Sequence, residues 1–409
     1  MLKFRSTYLS LITASIVATQ ISCSNDNDSP EQPNVRGEIT LNATEQKLIN
    51  SQNQFAFDLV KGIEAAGIDD DSKNVIISPI SASYCLGMIA AGAQGATLEQ
   101  ITDVLGPTSS DEINGLHGRL IKSLQTLDRT TTATLVNSMW IDNSVAVKEQ
   151  YRDHLATYYY NSLYSINLHE QAAVEKINRW CADNTGNLIP TIIEDIPSGN
   201  LLLVNTLHFE SKWTDVFHEA ETKAHTFHNA DNSKSTVKMM YDIRQIEYKE
   251  IDGAQVARLT YGNGAYSMMM MLPAEGEDVN SLLTPEKYAM LTAENGMKEV
   301  KAIVEIPRFD MTKEVSLNQP LSELGMKLLF STDADLSGMT ESAMPSCSIV
   351  QKCRIIVDEG GTKAASTTST SVDIALPPEH KITLDRPFAF IIQEQSTGLI
   401  LFIGKINNL

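Results

Sequence analysis

From Leu201 onward the chain carries seven short apolar runs: LLLVNTLHF, QVARLTY, YSMMMMLP, EVKAIVEIP, SIVQKCRIIV, FAFIIQE and LILFIGKI. Several are apolar at both parities of a strand, and such a strand is stable only in a sheet covered on both faces. The first half has helical spacing instead. Leu48, Phe55, Leu59, Val60 and Ile63 predict a helix over 43–66, and Pro79 opens a second through Ala91. Thr97 with Gln100 three positions on predicts a reciprocal cap at the start of a third helix. Ile113, Leu116, Leu120 and Leu124 mark a fourth, and further helices are expected near 148–160 and 172–185, with a strand at Ala133–Ile141. Helices first and strands after, without alternation, predict an α+β fold with large buried sheets. The Met268–Met271 run reads as core filling.

The 409 residues, 42% of them hydrophobic, can bury a large core. A net charge of −19 with no basic cluster argues against nucleic acid as a partner. Residues 1–22 read as an export signal: Lys3 and Arg5 precede YLSLITASIVATQI, which is too short to span a membrane and ends at Ser22 and Cys23. The segment resembles a bacterial lipoprotein signal, which implies lipid modification of Cys23, although Gln20 stands where that pattern prefers Leu. The following SNDNDSPEQPN is similar to the sorting signal of surface lipoproteins in the Bacteroidetes. These likenesses imply a lipoprotein of the outer membrane or cell surface that meets the membrane only through its lipid, the alternative being a secreted, extracellular chain. Residues 23–40 are expected to be a disordered tether and 41–409 one domain. Cys85, Cys181, Cys347 and Cys353 are expected as buried thiols; the last two lie six apart on one strand, about 20 Å, beyond disulfide reach.

Local enzyme signatures are missing: the sequence has no G-x-S-x-G, H-E-x-x-H, C-x-x-C or G-x-x-x-x-G-K-[ST]. The expectation is a chain that is not an enzyme and takes no cofactor. His218, His225 and His228, in HEAETKAHTFH, read as surface histidines rather than a metal site.

Six collinear segments are more specific. They are NVIISPISASYCLGMIAAGAQGATLEQITDVLG (Asn74–Gly106), LLLVNTLHFESKW (Leu201–Trp213), IPRFDM (Ile306–Met311), LSELGMKLLFSTDADLSGM (Leu321–Met339), EGGTKAAS (Glu359–Ser366) and DRPFAFIIQEQSTGLILFIGKI (Asp385–Ile406). Over about residue 43 to the end the chain resembles the serpins. The resemblance implies one monomeric domain of three β-sheets and eight or nine helices, with an exposed reactive loop at about 359–380. It implies that Ser78, Ser81 and Asn205 hold the middle of the main sheet closed, and that Trp213, Arg308 and Glu359 form the group at its top, with Arg308 and Glu359 an ion pair. Gln351 stands where many members carry His; it can bridge by hydrogen bonds but cannot titrate. Ala389 is smaller than the family's usual residue there.

The segment DEGGTKAASTTSTSVDIALPPEH, Asp358–His380, joins two apolar strands. Its small polar composition suits a flexible linker. As a strand it has a second property: Lys363 and Asp373, ten apart, share a face, and the opposite face, Thr362, Ala364, Ser366, Thr368, Thr370, Val372 and Ile374, carries no charge. That parity favours a segment able to enter the middle of a sheet. The hinge residues Glu359, Gly361, Thr362, Ala364, Ala365 and Ser366 include small ones at the leading end, where bulk would stall insertion. Thr362 is expected to lie exposed in the intact chain and to be the first side chain to turn inward after cleavage. With the resemblance, this implies a suicide-substrate inhibitor of serine or cysteine endopeptidases. The alternatives are a non-inhibitory binding protein of the same fold and a surface hydrolase or carbohydrate-binding lipoprotein. Family spacing places the cleaved bond at Ala375–Leu376, and counting back from Pro377 and Pro378 places it at Ile374–Ala375. Both suit elastase-like or subtilisin-like partners; recognition of Asp373 would suit caspase-like enzymes.

Overall fold

The computed structural model describes residues 33–67, 73–160, 162–197, 199–341, 347–362 and 377–409. Eight α-helices occur among them: α1 Ala43–Ala65, α2 Pro79–Ala90, α3 Gly95–Leu105, α4 Ser110–Leu124, α5 Glu149–Tyr159, α6 Gln171–Asn184, α7 Pro285–Thr292 and α8 Asn318–Glu323. Helix α1 starts at a capping box in which Asn42 accepts from the Thr44 and Glu45 amides while the Glu45 carboxylate accepts from the Asn42 amide. The cap expected at Thr97 does not form. Helix α3 begins two residues earlier, behind Gln94. Thr97 Oγ1 instead accepts from the Asp335 amide at 2.9 Å and Gln100 Oε1 from the Leu328 amide at 3.0 Å. Both side chains serve backbone donors of the chain after α8, which would otherwise lie against the helix unpaired.

Fifteen strands follow from the apolar runs and the segments between them: β1 Val75–Ile77, β2 Thr132–Asp142, β3 Leu163–Ile166, β4 Leu201–Lys212, β5 Lys223–His228, β6 Lys234–Ile251, β7 Ala254–Tyr261, β8 Tyr266–Leu272, β9 Lys298–Pro307, β10 Phe309–Ser316, β11 Cys347–Asp358, β12 Gly361–Thr362, β13 His380–Thr383, β14 Phe388–Glu394 and β15 Ile400–Ile406. The main sheet has the order β10-β11-β12-β4-β2-β3. The other strands run β1-β15-β14-β8-β7-β6-β9-β13, with β5 also on β6. The long β6 pairs with β5 and β9 over most of its length and with β7 at its end. It therefore joins these nine strands into one hydrogen-bonded sheet, so that the described strands form two sheets, of nine and six, where three were expected.

Helix α2 is buried along its whole length, as a helix apolar all round must be. It packs on β2 and β4. On the opposite face Ile177 and Cys181 of α6 join Trp140, Leu202 and Val204 in a separate apolar cluster. The main sheet is thus covered on both sides. Strand β11 shows the parity: Cys347, Ile349, Gln351, Cys353, Ile355 and Val357 are buried and the residues between them half-buried. All four expected thiols are buried and unpaired, and burial pushes those of Cys347 and Cys353 up to about 12. Met268–Met271 lie in the core. His225 and His228, three apart on β5, point to opposite sides of an exposed edge strand and cannot converge.

The tether was expected to run to residue 40, but the chain is held from Asn34 on. Asn34 Nδ2 donates to Asp128 Oδ1 at 2.7 Å and the Gly37 amide to the Leu127 carbonyl at 2.8 Å. Ile39 is buried. Residues 1–32, with Cys23, lie outside the described residues.

Candidate functional site

In the middle of the main sheet β11 and β4 pair directly and in parallel, from Cys347 opposite Leu201 to Gln351 opposite Asn205. A polar group buried at the end of this ladder joins both strands to α2. Gln351 Oε1 accepts from the Ser78 amide at 3.0 Å, and Gln351 Nε2 donates to the Ser78 carbonyl at 2.9 Å and to Asn205 Oδ1. Asn205 Nδ2 donates to the Val350 carbonyl at 3.3 Å. A neutral histidine has one donor and one acceptor and could not make all three of the Gln351 bonds at once. Ser81 Oγ lies 2.8 Å from Asn137 Oδ1 and 2.9 Å from the Thr206 carbonyl. A hydroxyl has one proton, so both contacts hold only when the Asn137 amide group turns its nitrogen to Ser81, which then donates to Thr206. Gln351 and Asn205 thus bridge β11 and β4, while Ser81 ties α2 to β2 and β4. Ser78 bonds Gln351 through its backbone, and its hydroxyl is buried without a partner.

The top of the sheet is built on an ion pair. Arg308 Nε donates to Glu359 Oε1 at 2.6 Å, its Nη2 meets Glu359 Oε2, and Thr222 Oγ1 donates to the same carboxylate. Glu219 approaches Arg308 Nη2 at 3.3 Å from the solvent side. Burial works to raise the Glu359 carboxyl, but the bonds from Arg308 and Thr222 outweigh it and hold the group below the ordinary range. The Glu359 carbonyl accepts from the Phe217 amide and that of Gly360 from the Trp213 amide, each at 2.9 Å. Trp213 Nε1 donates to the Asp358 carbonyl at 3.0 Å. Asp358 Oδ1 caps the turn by accepting from the Gly360 and Gly361 amides at 2.9 and 3.2 Å.

The hinge departs from expectation. Thr362 is not exposed in the intact chain: it is 3% accessible, and with Gly361 it forms β12, paired with Val357 and Asp358 of β11 and with Ser211 and Lys212 of β4. Above Gln351 and Asn205 the ladder between β11 and β4 stops, and at the top the two strands part to admit the first two residues of the loop. Gly361 makes this possible. Its φ is +139° and a Cβ there would lie 2.3 Å from the Ser211 carbonyl oxygen, so no other residue fits without moving β4. Thr362 Oγ1 lies 2.9 Å from the Tyr261 hydroxyl. Ala364, Ala365, Ser366, Ile374, Ala375 and Leu376 fall outside the described residues.

Tyr261, Ser211, Thr222, Glu219 and Phe217 belong to this site, and no pattern within their own segments marks them. They reach it by strand pairing over long separations, with one local signal, the proximity of Ser211 and Phe217 to Trp213 in sequence.

Fold and site together define a protein whose main sheet is locked in the middle, open at the top and already holding the start of its own loop. The serpin family model, serine protease inhibitor, matches residues 50–409, and the chain belongs to the serpin family. A relative described as a serine protease inhibitor, from Cyanea capillata, is 32% identical over 354 residues, 82% of this chain and 92% of its own. Among solved structures, the thermophilic serpin tengpin in its native state matches with a TM-score of 0.82 at 28% identity, covering 92% of this chain and 97% of the other. Human thyroxine-binding globulin complexed with its ligand matches with a TM-score of 0.81 at 25% identity, covering 90% and 99%. Serpins are broadly protease inhibitors rather than catalytic enzymes.

Proposed function

We propose that this chain is a suicide-substrate inhibitor of serine endopeptidases of elastase-like or subtilisin-like preference. The observation that carries the reading is the seating of Gly361 and Thr362 between β11 and β4. A loop that has started into the sheet by a face of small, uncharged residues has a defined path onward, along the flanks of β11 and β4 below the seated residues. The protease serine attacks the carbonyl carbon of Ala375, or of Ile374, forming an ester, and the amine of the next residue leaves with a proton. The acylated end is then free to follow Thr362 into the sheet while the ladder at Gln351 and Asn205 opens. About a dozen new ladder residues at roughly 1 kcal/mol each, with apolar burial, favour the inserted state by on the order of 10 to 20 kcal/mol. That is comparable to the stability of a whole domain and sufficient to distort a protease attached to the moving end.

We also propose that the inhibitor sits at the outer membrane or cell surface, held through lipid on Cys23, a reading supported by the signal-like run that ends at Ser22 and Cys23. Thyroxine-binding globulin shows that the fold also serves ligand binding, so the discriminating measurement is trapping. Incubation with elastase followed by denaturing electrophoresis yields a stable high-mass adduct for a trapping inhibitor and a nicked product for a substrate. An unchanged band would leave a binding protein. Nicking without adduct, across elastase-like and subtilisin-like enzymes, would sink the proposal.

A further inference from the structure

Tyr261, at the end of β7, is fully buried, and its position is fixed from three sides. Its ring stacks on Trp213 with centroids 4.4 Å apart and planes 11° apart, and meets Phe209 edge-on at 5.3 Å. An isolated backbone bridge joins it to Trp213. The hydroxyl has Thr362 Oγ1, at 2.9 Å, as its hydrogen-bond partner. The far side of the slot is equally fixed, because Ser211, opposite Thr362 on β4, holds Thr131 through their hydroxyls at 2.6 Å. A rigid buried tyrosine therefore presents one polar atom to the slot, and the hinge supplies its partner.

We propose that Tyr261 is a positioning residue for the trapping reaction: its hydroxyl seats Thr362 between β11 and β4 before cleavage, so that insertion begins from a formed first pair. The inference rests on the protease-trapping reading above. Fixing the backbone of each loop residue opposes insertion. In the intact chain Gly361 and Thr362 have already undergone that ordering, so after acylation the race between insertion and ester hydrolysis starts two residues in. Without the Tyr261 bond the hinge leaves the sheet more often, and hydrolysis gains.

The test uses the intact chain and four variants: Y261F, T362V, T362S and the double variant Y261F/T362V. Loss of one neutral hydrogen bond changes a seated-to-unseated ratio by about fivefold. Amide hydrogen exchange of the segment containing Gly360–Thr362 is therefore expected to be about fivefold faster in Y261F than in the parent. The ratio of trapped to escaped elastase, with loop cleavage followed in parallel, is expected to fall, by up to the same factor, in Y261F and in T362V. The double variant should fall no further, and T362S, which keeps a hydroxyl, should stay near the parent. Unchanged exchange in Y261F, additive losses in the double variant, or a T362S as impaired as T362V would each overturn the proposal. If the parent traps no protease the trapping reading itself fails, while hydrogen exchange still decides whether Tyr261 holds the hinge.

Discussion

Replacing Thr362 with arginine puts the seated hinge to a direct test. The position is 3% accessible, beside the stacked Tyr261 and Trp213 rings. A guanidinium left there without a partner carries a penalty of several kcal/mol even after relaxation. Leaving the slot costs less: the Tyr261 hydroxyl becomes unpaired, about 1 to 3 kcal/mol, and a few ladder bonds at roughly 1 kcal/mol each are exchanged for water. The hinge of Thr362→Arg should therefore swing out of the sheet, with the fold intact and native stability lowered by the sum of those losses, on the order of a few kcal/mol. After cleavage the same arginine must pass the slot again, and a barrier raised by roughly 3 kcal/mol slows insertion more than a hundredfold. A parent that traps about ten proteases for each that escapes would become a variant that releases about ten for each it traps, with the loop still cut. The assay is the fraction of elastase in a denaturant-stable complex, alongside loop cleavage and thermal denaturation of the intact and cleaved chains. Lys363→Arg, of opposite parity, serves as the control and should trap like the parent. Trapping by Thr362→Arg at the parent's efficiency would refute the insertion argument, because no rearrangement hides a charge in the centre of a paired sheet.

Asn205→Ala should leave groups at Gln351 and Val350 unpaired, lower native stability by about 1 to 3 kcal/mol and promote loop-sheet polymers on mild heating, whereas Ser78→Ala, which removes a hydroxyl without a partner, should change little; thermal melts and native gels distinguish the two. Burial pushes the His117 imidazole down to about 3, so between pH 6.5 and 3 the unfolded chain takes up a proton there that the folded chain refuses. Stability should consequently fall by about 1.4 kcal/mol per unit as pH drops through that window. His117→Gln should flatten the loss between pH 6.5 and 5, measured by denaturant titration, and a profile that stays as steep would show that other groups set it. Glu359, held below its ordinary range, adds its own loss only further down, as pH falls below about 4.5 and the carboxylate protonates. Cys23→Ala should move the protein out of the membrane fraction, and an unchanged fractionation would remove the lipid anchor.

The parts of this structure that could be read in the sequence are those fixed by short-range pattern. Runs such as YSMMMML and FAFIIQE are apolar at both parities, and each became a fully buried strand. The thiols at Cys347 and Cys353 follow from the parity of β11. What could not be read depends on which distant segments meet. Thr97 and Gln100 have the spacing of a cap, yet a helix that starts two residues earlier hands both side chains to the loop after α8. Asn34 looks like tether until Asp128 receives it. The hinge is the sharpest case. Its small residues suggested a leading end able to slip between strands after cleavage, and that argument treats smallness as a kinetic property. Gly361 adds a static requirement: at φ +139° and with the Ser211 carbonyl where its Cβ would be, the slot exists in the intact chain only because this residue has no side chain. Whether β11 and β4 part above Gln351 is decided by the bonds of Gln351 and Asn205 below, the Arg308–Glu359 pair above and the Tyr261 hydroxyl between. The bonds of Gln351 alone reach 146 positions to Asn205 and 273 to Ser78, so the state of the hinge is a property of the assembled sheet and is absent from the hinge's own sequence.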